Sequence, residues 1–80
     1  MVRIAAAGNT EPPIYHLILK KGFLIEIRDE YLVAIKDDME FVADTMVELA
    51  GLILLIENKG ENWKVDDIEI DNYMSFVNKK

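Results

Sequence analysis

Apolar positions change their spacing several times along this chain, and each change marks a predicted element. Ile14, Leu17 and Ile18 recur at i, i+3 and i+4, the stripe of one helix face. Thr10 stands ahead of them as an N-cap, with Pro12 and Pro13 in the first turn, where a missing N–H costs little. Lys20 and Lys21 complement the negative dipole end, and Gly22 follows as a C-terminal stop. A helix is predicted over 11–21, with a strand through "IYHLIL" as the competing reading. Residues 2–7, "VRIAAA", read as a short strand despite their three alanines, which are poor strand formers.

From residue 23 the period drops to two. Phe23, Ile25 and Ile27, then Tyr31, Val33 and Ile35, then Met39 and Phe41 alternate with more polar neighbours, as in a half-buried three-stranded antiparallel meander. Pairing Ile27 with Tyr31 and Ile35 with Met39 leaves three-residue loops and aligns Ile25, Val33 and Phe41 in one apolar row. Three-residue hairpin loops place a left-handed residue last, a conformation Asp38 tolerates better than Glu30. The opposite face then carries Leu24, Glu26, Leu32, Ala34, Glu40 and Val42, half apolar and half charged.

Thr45 followed three positions later by Glu48 forms a capping box, and Gly60 closes the segment, so a second helix is predicted over 46–59. At 100° per residue Met46, Leu49, Ala50, Leu52, Ile53, Leu54 and Ile56 share a wide apolar arc. Two residues break the pattern. Leu55 falls on the polar side, near Leu52, and Glu57 points into the apolar arc at the helix C-terminus, where a carboxylate opposes the dipole. Glu57 therefore requires water or a donor, with Arg28, Arg3 and the Trp63 indole as candidates. Asp66 and Glu69 open a further predicted helix over 67–78, whose Ile70, Tyr73, Met74 and Val77 stand at i, i+3, i+4 and i+7. An edge strand through "WKVDDIEI", with Trp63 and Val65 on one side, is the alternative.

The expected architecture is a single α+β domain over 1–80, in the order β-α-β-β-β-α-α, with the 46–59 helix on the Ile25, Val33 and Phe41 face. Were the first strand to add parallel to the 23–28 strand, the intervening helix would make a right-handed crossover. Thirty-one of the 80 residues are Val, Ile, Leu, Met or Phe, enough for a core without metal or disulfide staples. There is no cysteine, which removes zinc-thiolate, dithiol and disulfide chemistry by inventory.

The longest apolar run, Leu49–Ile56, is far shorter than the roughly 20 residues that span a bilayer, so no membrane association is expected. The N-terminal segment is interrupted by Gly8, Asn9, Thr10 and Glu11, unlike a secretory leader, which sets the expectation of a cytoplasmic protein. A net charge of −6 argues against direct nucleic-acid binding, since phosphate backbones call for clustered Lys and Arg.

Candidate chemistry is sparse. His16 is the sole histidine and Ser75 the sole serine, without a Gly-x-Ser-x-Gly elbow around it. The Gly8–Thr10 loop resembles an anion cradle, but Pro12 and Pro13 lack the N–H groups such a site uses. Glu26, Glu30 and Lys36 lack the spacing of a metal-dependent nuclease site. The acids from Asp66 to Asp71 lack the glycine and terminal Glu of a calcium loop.

No catalytic, cofactor or metal residue is therefore assigned. In size and make-up the chain resembles the short α+β proteins of bacterial and mobile-element genomes, without a motif that carries over a residue role. The reading is a non-enzymatic, acidic protein-interaction module, expected to be a homodimer or to bind a protein partner, through Leu24, Leu32, Val42, Leu52 and Leu55. One alternative is an acidic inhibitor, such as an immunity protein, antitoxin or nucleic-acid mimic, drawing on the five acids from Asp37 to Glu48. A second is a small ligand-binding protein or enzyme with a site at Glu57 and Trp63.

Overall fold

The structure is a computed structural model and describes residues 1–6 and 8–79. Three helices accompany one antiparallel sheet: α1 (Glu11–Lys20), β1 (Leu24–Arg28), β2 (Tyr31–Lys36), β3 (Met39–Ala43), α2 (Met46–Lys59) and α3 (Asp67–Val77), with a 3-10 turn over Gly60–Asn62. The α+β class and the meander are as expected. The N-terminal strand is not formed: residues 1–6 have no regular structure and lie exposed, and Ala7 falls outside the described residues. The sheet is therefore three-stranded, in the order β1-β2-β3, and no crossover is made. Three consecutive alanines offer too little side chain to hold an edge strand against its ordering entropy.

α1 begins where expected, although the Thr10 hydroxyl makes no capping bond. The reason is in the sequence. A cap hydroxyl accepts from the second or third helical N–H, and those positions are Pro12 and Pro13, which have none. At its other end Gly22 takes φ of 96°, as a residue just beyond a helix often does.

The meander departs from the expected register. Arg28 pairs with Tyr31 and Lys36 with Met39, so both hairpins have two-residue loops, Asp29-Glu30 and Asp37-Asp38. Both favoured two-residue turns require positive φ at the first loop residue, and Asp29 and Asp37 each adopt 56°. Aspartate is among the few non-glycine residues that accept this conformation. The consequence is confined to β2, whose faces are exchanged. The inner row is Ile25, Ala34 and Phe41, with Leu32 beside it, while Tyr31, Val33 and Ile35 face outward.

Alternation offers no guide in "YLVAIK", because both faces of this central strand are largely apolar. Both its faces are also covered: Ala34 and Val33 are each buried. Over Val33 lies a charged cover rather than a helix. Arg28 donates to Glu26 at 2.9 Å and, across β2, to Glu40 at 2.7 Å. The two hydrogen bonds, to Glu40 first and Glu26 second, hold the guanidinium above its ordinary pKa, so it stays charged at any working pH.

α2 packs on the inner face. Ile18, Phe23, Ala34, Phe41, Met46, Leu49 and Ile53 form the core, and the Phe23 and Phe41 rings meet edge to face at 5.5 Å. The small Ala34 side chain lets Leu49 approach closely enough to be wholly enclosed. Thr45 accepts from the Glu48 N–H at 3.1 Å, the N-cap half of the expected capping box, and the Glu11 carboxylate accepts from the Met46 N–H at 3.1 Å. The first turn of α1 thus caps the first turn of α2. Gly60 ends α2 at φ 72° and ψ −166°, a combination nearly restricted to glycine.

Candidate interaction surface

The side of α2 turned away from the core and from α1 bears an open cleft. Gly51 and Leu55 lie on the flank away from the sheet, with Leu52 between them and the core. Together with Tyr31, Val42 and Trp63 they line an open cleft of about 480 Å³, whose polar margin is Asp44 and Glu48. Trp63 is brought there by the 3-10 turn that follows Gly60, and it explains why a leucine stands at position 55. Leu55 is half-buried in this cleft.

Of the five residues expected at an interface, Val42, Leu52 and Leu55 are gathered in the cleft. Leu24 is exposed on the outer face of β1, away from them, and Leu32 is turned inward by the two-residue turns to pack on the core. The outer sheet face is not covered by α3, and Leu24, Tyr31 and Val42 each keep half or more of their surface in water.

The expected pairing of Glu57 with Trp63 is not formed. Glu57 accepts from Lys21 through both oxygens, at 3.1 and 3.0 Å, and both side chains are nearly half exposed. Lys21 was not among the anticipated donors. The end of α1 lies against the end of α2, and this tertiary neighbourhood is invisible to a helical wheel. The ion pair closes one end of a second groove, of about 260 Å³, between α1 and α2, where Leu17 and Leu54 stand at the rim above Ile18 and Ile53. Leu54, placed in the apolar arc by its angle, is 62% exposed because α1 is too short and too far round to cover it.

The remaining candidates are dispersed. His16 lies exposed on α1 with its ring edge-on to Tyr15 at 5.3 Å. Glu26 faces outward, whereas Lys36 faces inward, its ammonium 5.4 Å from the Phe23 ring and donating to the Lys21 carbonyl at 2.8 Å. Among the described residues no three acidic or histidine side chains are grouped to hold a metal ion. Nor is any described helix long and apolar enough to cross a membrane.

α3 stands apart. Asp66 caps it by accepting from the Glu69 N–H at 3.0 Å, and Lys59 reaches Glu69 at 3.3 Å. Otherwise it joins none of the packed pairs of elements, which run among α1, α2, the 3-10 turn and the sheet. It places no residue in the core: Ile68, Ile70, Tyr73, Met74 and Phe76 are exposed.

Two of these features had a trace in the sequence. A glycine in the middle of an apolar helical run is an anomaly of propensity at Gly51, and the tail helix carries a full stripe that a small core has no need of. The capping role of Glu11 and the outward turn of Tyr31 had none. Comparison with protein-family models, curated proteins and solved structures finds no match.

Proposed function

We propose that this chain is a non-enzymatic, cytoplasmic protein-interaction module that works as a homodimer or on a protein partner, without direct contact to nucleic acid. The observation that carries the reading is α3. Helices shorter than about 12–15 residues are marginal in water unless packed, and α3 has 11 residues, an apolar stripe and no core residue. Such a helix persists by docking on something.

Surface area supports the same reading. The chain exposes 6835 Å², whereas a compact monomer of 9.2 kDa exposes about 4,900 Å². The surplus is roughly 1,900 Å², and the exposed apolar side chains of α3 and of the N-terminal segment contribute to it. The cleft itself is aromatic and aliphatic apart from Asp44 and Glu48, a lining suited to holding another apolar surface.

Light scattering over a concentration series tests the proposal. The expected result is a mass above that of one chain, or a stable complex with a protein partner. A single-chain mass at every concentration, together with failure of the intact protein to retain any partner, would overturn it.

The acidic-inhibitor alternative draws on the net charge of −6 and has the opposite salt signature. Complexes steered by charge weaken with added salt, whereas association of like-charged chains through apolar surface strengthens.

A further inference from the structure

Resting on the interaction reading above, we propose that the partner is a second copy of this chain, and that the two copies exchange α3, each laying its Ile70, Tyr73, Met74 and Val77 stripe into the Gly51 cleft of the other.

Dimensions agree. The cleft runs along α2 from Glu48 to Leu55, seven residues apart, and the stripe runs from Ile70 to Val77, also seven apart. At 1.5 Å per residue each is about 10 Å long. Gly51 is the second observation. It sits in the middle of α2, where glycine costs about 1 kcal/mol against alanine, and nothing in its own chain requires it. Its φ is not positive, and a Cβ built there meets no atom within 4 Å. A glycine so placed leaves room for a backbone arriving from outside, as in close-packed helix pairs.

Charge fixes the direction. Laid antiparallel to α2, α3 brings Asp67, Glu69 and Asp71 to the α2 C-terminus, beside Lys59 and Lys64, and Lys79 to its N-terminus, beside Asp44 and Glu48. Within one chain Lys59 pairs with Glu69, and exchange replaces that contact with its counterpart across the dimer. Antiparallel helix dipoles favour the same orientation.

Area decides between a passing contact and a stable dimer. Specific interfaces bury roughly 800 Å² per partner, and the surplus of roughly 1,900 Å² per chain is larger than this. The α1–α2 groove is a weaker host, because it is smaller and one end is shut by the Lys21–Glu57 pair.

The test compares three versions of the 80-residue chain. Gly51→Met blocks the cleft while keeping a strong helix former, and Ile70→Ser with Met74→Ser breaks the stripe at residues exposed in the isolated chain. In sedimentation equilibrium the unaltered chain is expected to dimerise, each altered chain to dimerise at least tenfold more weakly, and an equimolar mixture of the two to recover part of the affinity. The recovery arises because one intact stripe then meets one intact cleft. Far-UV circular dichroism establishes that both altered chains remain folded.

A cysteine-free chain also permits a disulfide test with Leu55→Cys and Tyr73→Cys in one molecule. Covalent dimers on a non-reducing gel that form with both substitutions together and with neither alone support exchange. Covalent monomers mean that α3 closes on its own cleft, and they overturn the proposal. A dimer indifferent to all these substitutions also overturns it, while leaving the interaction reading intact. A monomer that captures a different protein does the same, and a monomer that captures none overturns both.

Discussion

Ala34→Leu tests the register of the meander, on which the placement of every β2 side chain depends. Ala34 has no exposed surface and lies between Ile25 and Phe41 under α2. Three added carbons have nowhere to go without displacing Leu49 or the Phe23–Phe41 edge contact. Overpacking of this kind costs about 1–3 kcal/mol. A chain of 80 residues has roughly 4–12 kcal/mol in all, so the loss is a large fraction of the total. At about 4–8 °C per kcal/mol for a small domain, the midpoint should fall by roughly 4–24 °C.

Thermal and urea unfolding followed by far-UV circular dichroism give the number. Protein concentration must be held fixed, because self-association makes the midpoint concentration-dependent. With three-residue loops Ala34 would stand on the open face of the sheet, where leucine is tolerated or helpful. An unchanged or raised midpoint for Ala34→Leu would therefore refute the two-residue turns and the inner row built on them.

Glu11→Ala is expected to lower stability by about 0.5–2 kcal/mol through loss of the cap on Met46, and Glu11→Gln, which keeps an acceptor oxygen, by less; urea midpoints measure both. Gly60→Ala should cost about 1–3 kcal/mol from backbone strain alone, since a Cβ there meets no atom within 4 Å; no loss would show that the α2 terminus is built differently. A double-mutant cycle with Lys21→Met and Glu57→Gln should give a coupling of about 0.2–1 kcal/mol, because both side chains are nearly half exposed. A coupling of several kcal/mol would place the pair in a buried setting and revive a functional role for Glu57. If apolar contact and the net repulsion of two like-charged chains outweigh the few exposed cross-chain ion pairs, raising salt should tighten the dimer; weakening would favour a charge-steered partner instead.

Local signals were enough for the helices. The Thr45–Glu48 box, the Gly60 stop and the Asp66 cap are made by atoms within a few residues of one another, so α2 and the start of α3 could be placed from adjacent side chains. The same holds for the existence of the three strands, which are short runs rich in β-branched and aromatic residues bounded by Asp-Glu and Asp-Asp turns, although only β1 and β3 alternate. What failed locally also has a local cause: two prolines remove the N–H groups that Thr10 would have capped.

Only the assembled tertiary structure decided the rest. The face of β2 depended on which of two hairpin loops closed, and a strand apolar on both sides carries no periodic signal to choose between them. The partner of Glu57 and the cap of α2 came from α1, thirty-five or more residues away in the chain. Most consequential is the fate of α3. Its stripe was written in the sequence, but whether a stripe finds a core depends on how much inner sheet the other helices leave free. α2 takes the middle of the inner face, and α3 does not pack on the part left open at Ile27, which is 76% exposed, so the apolar surface of α3 stays in water.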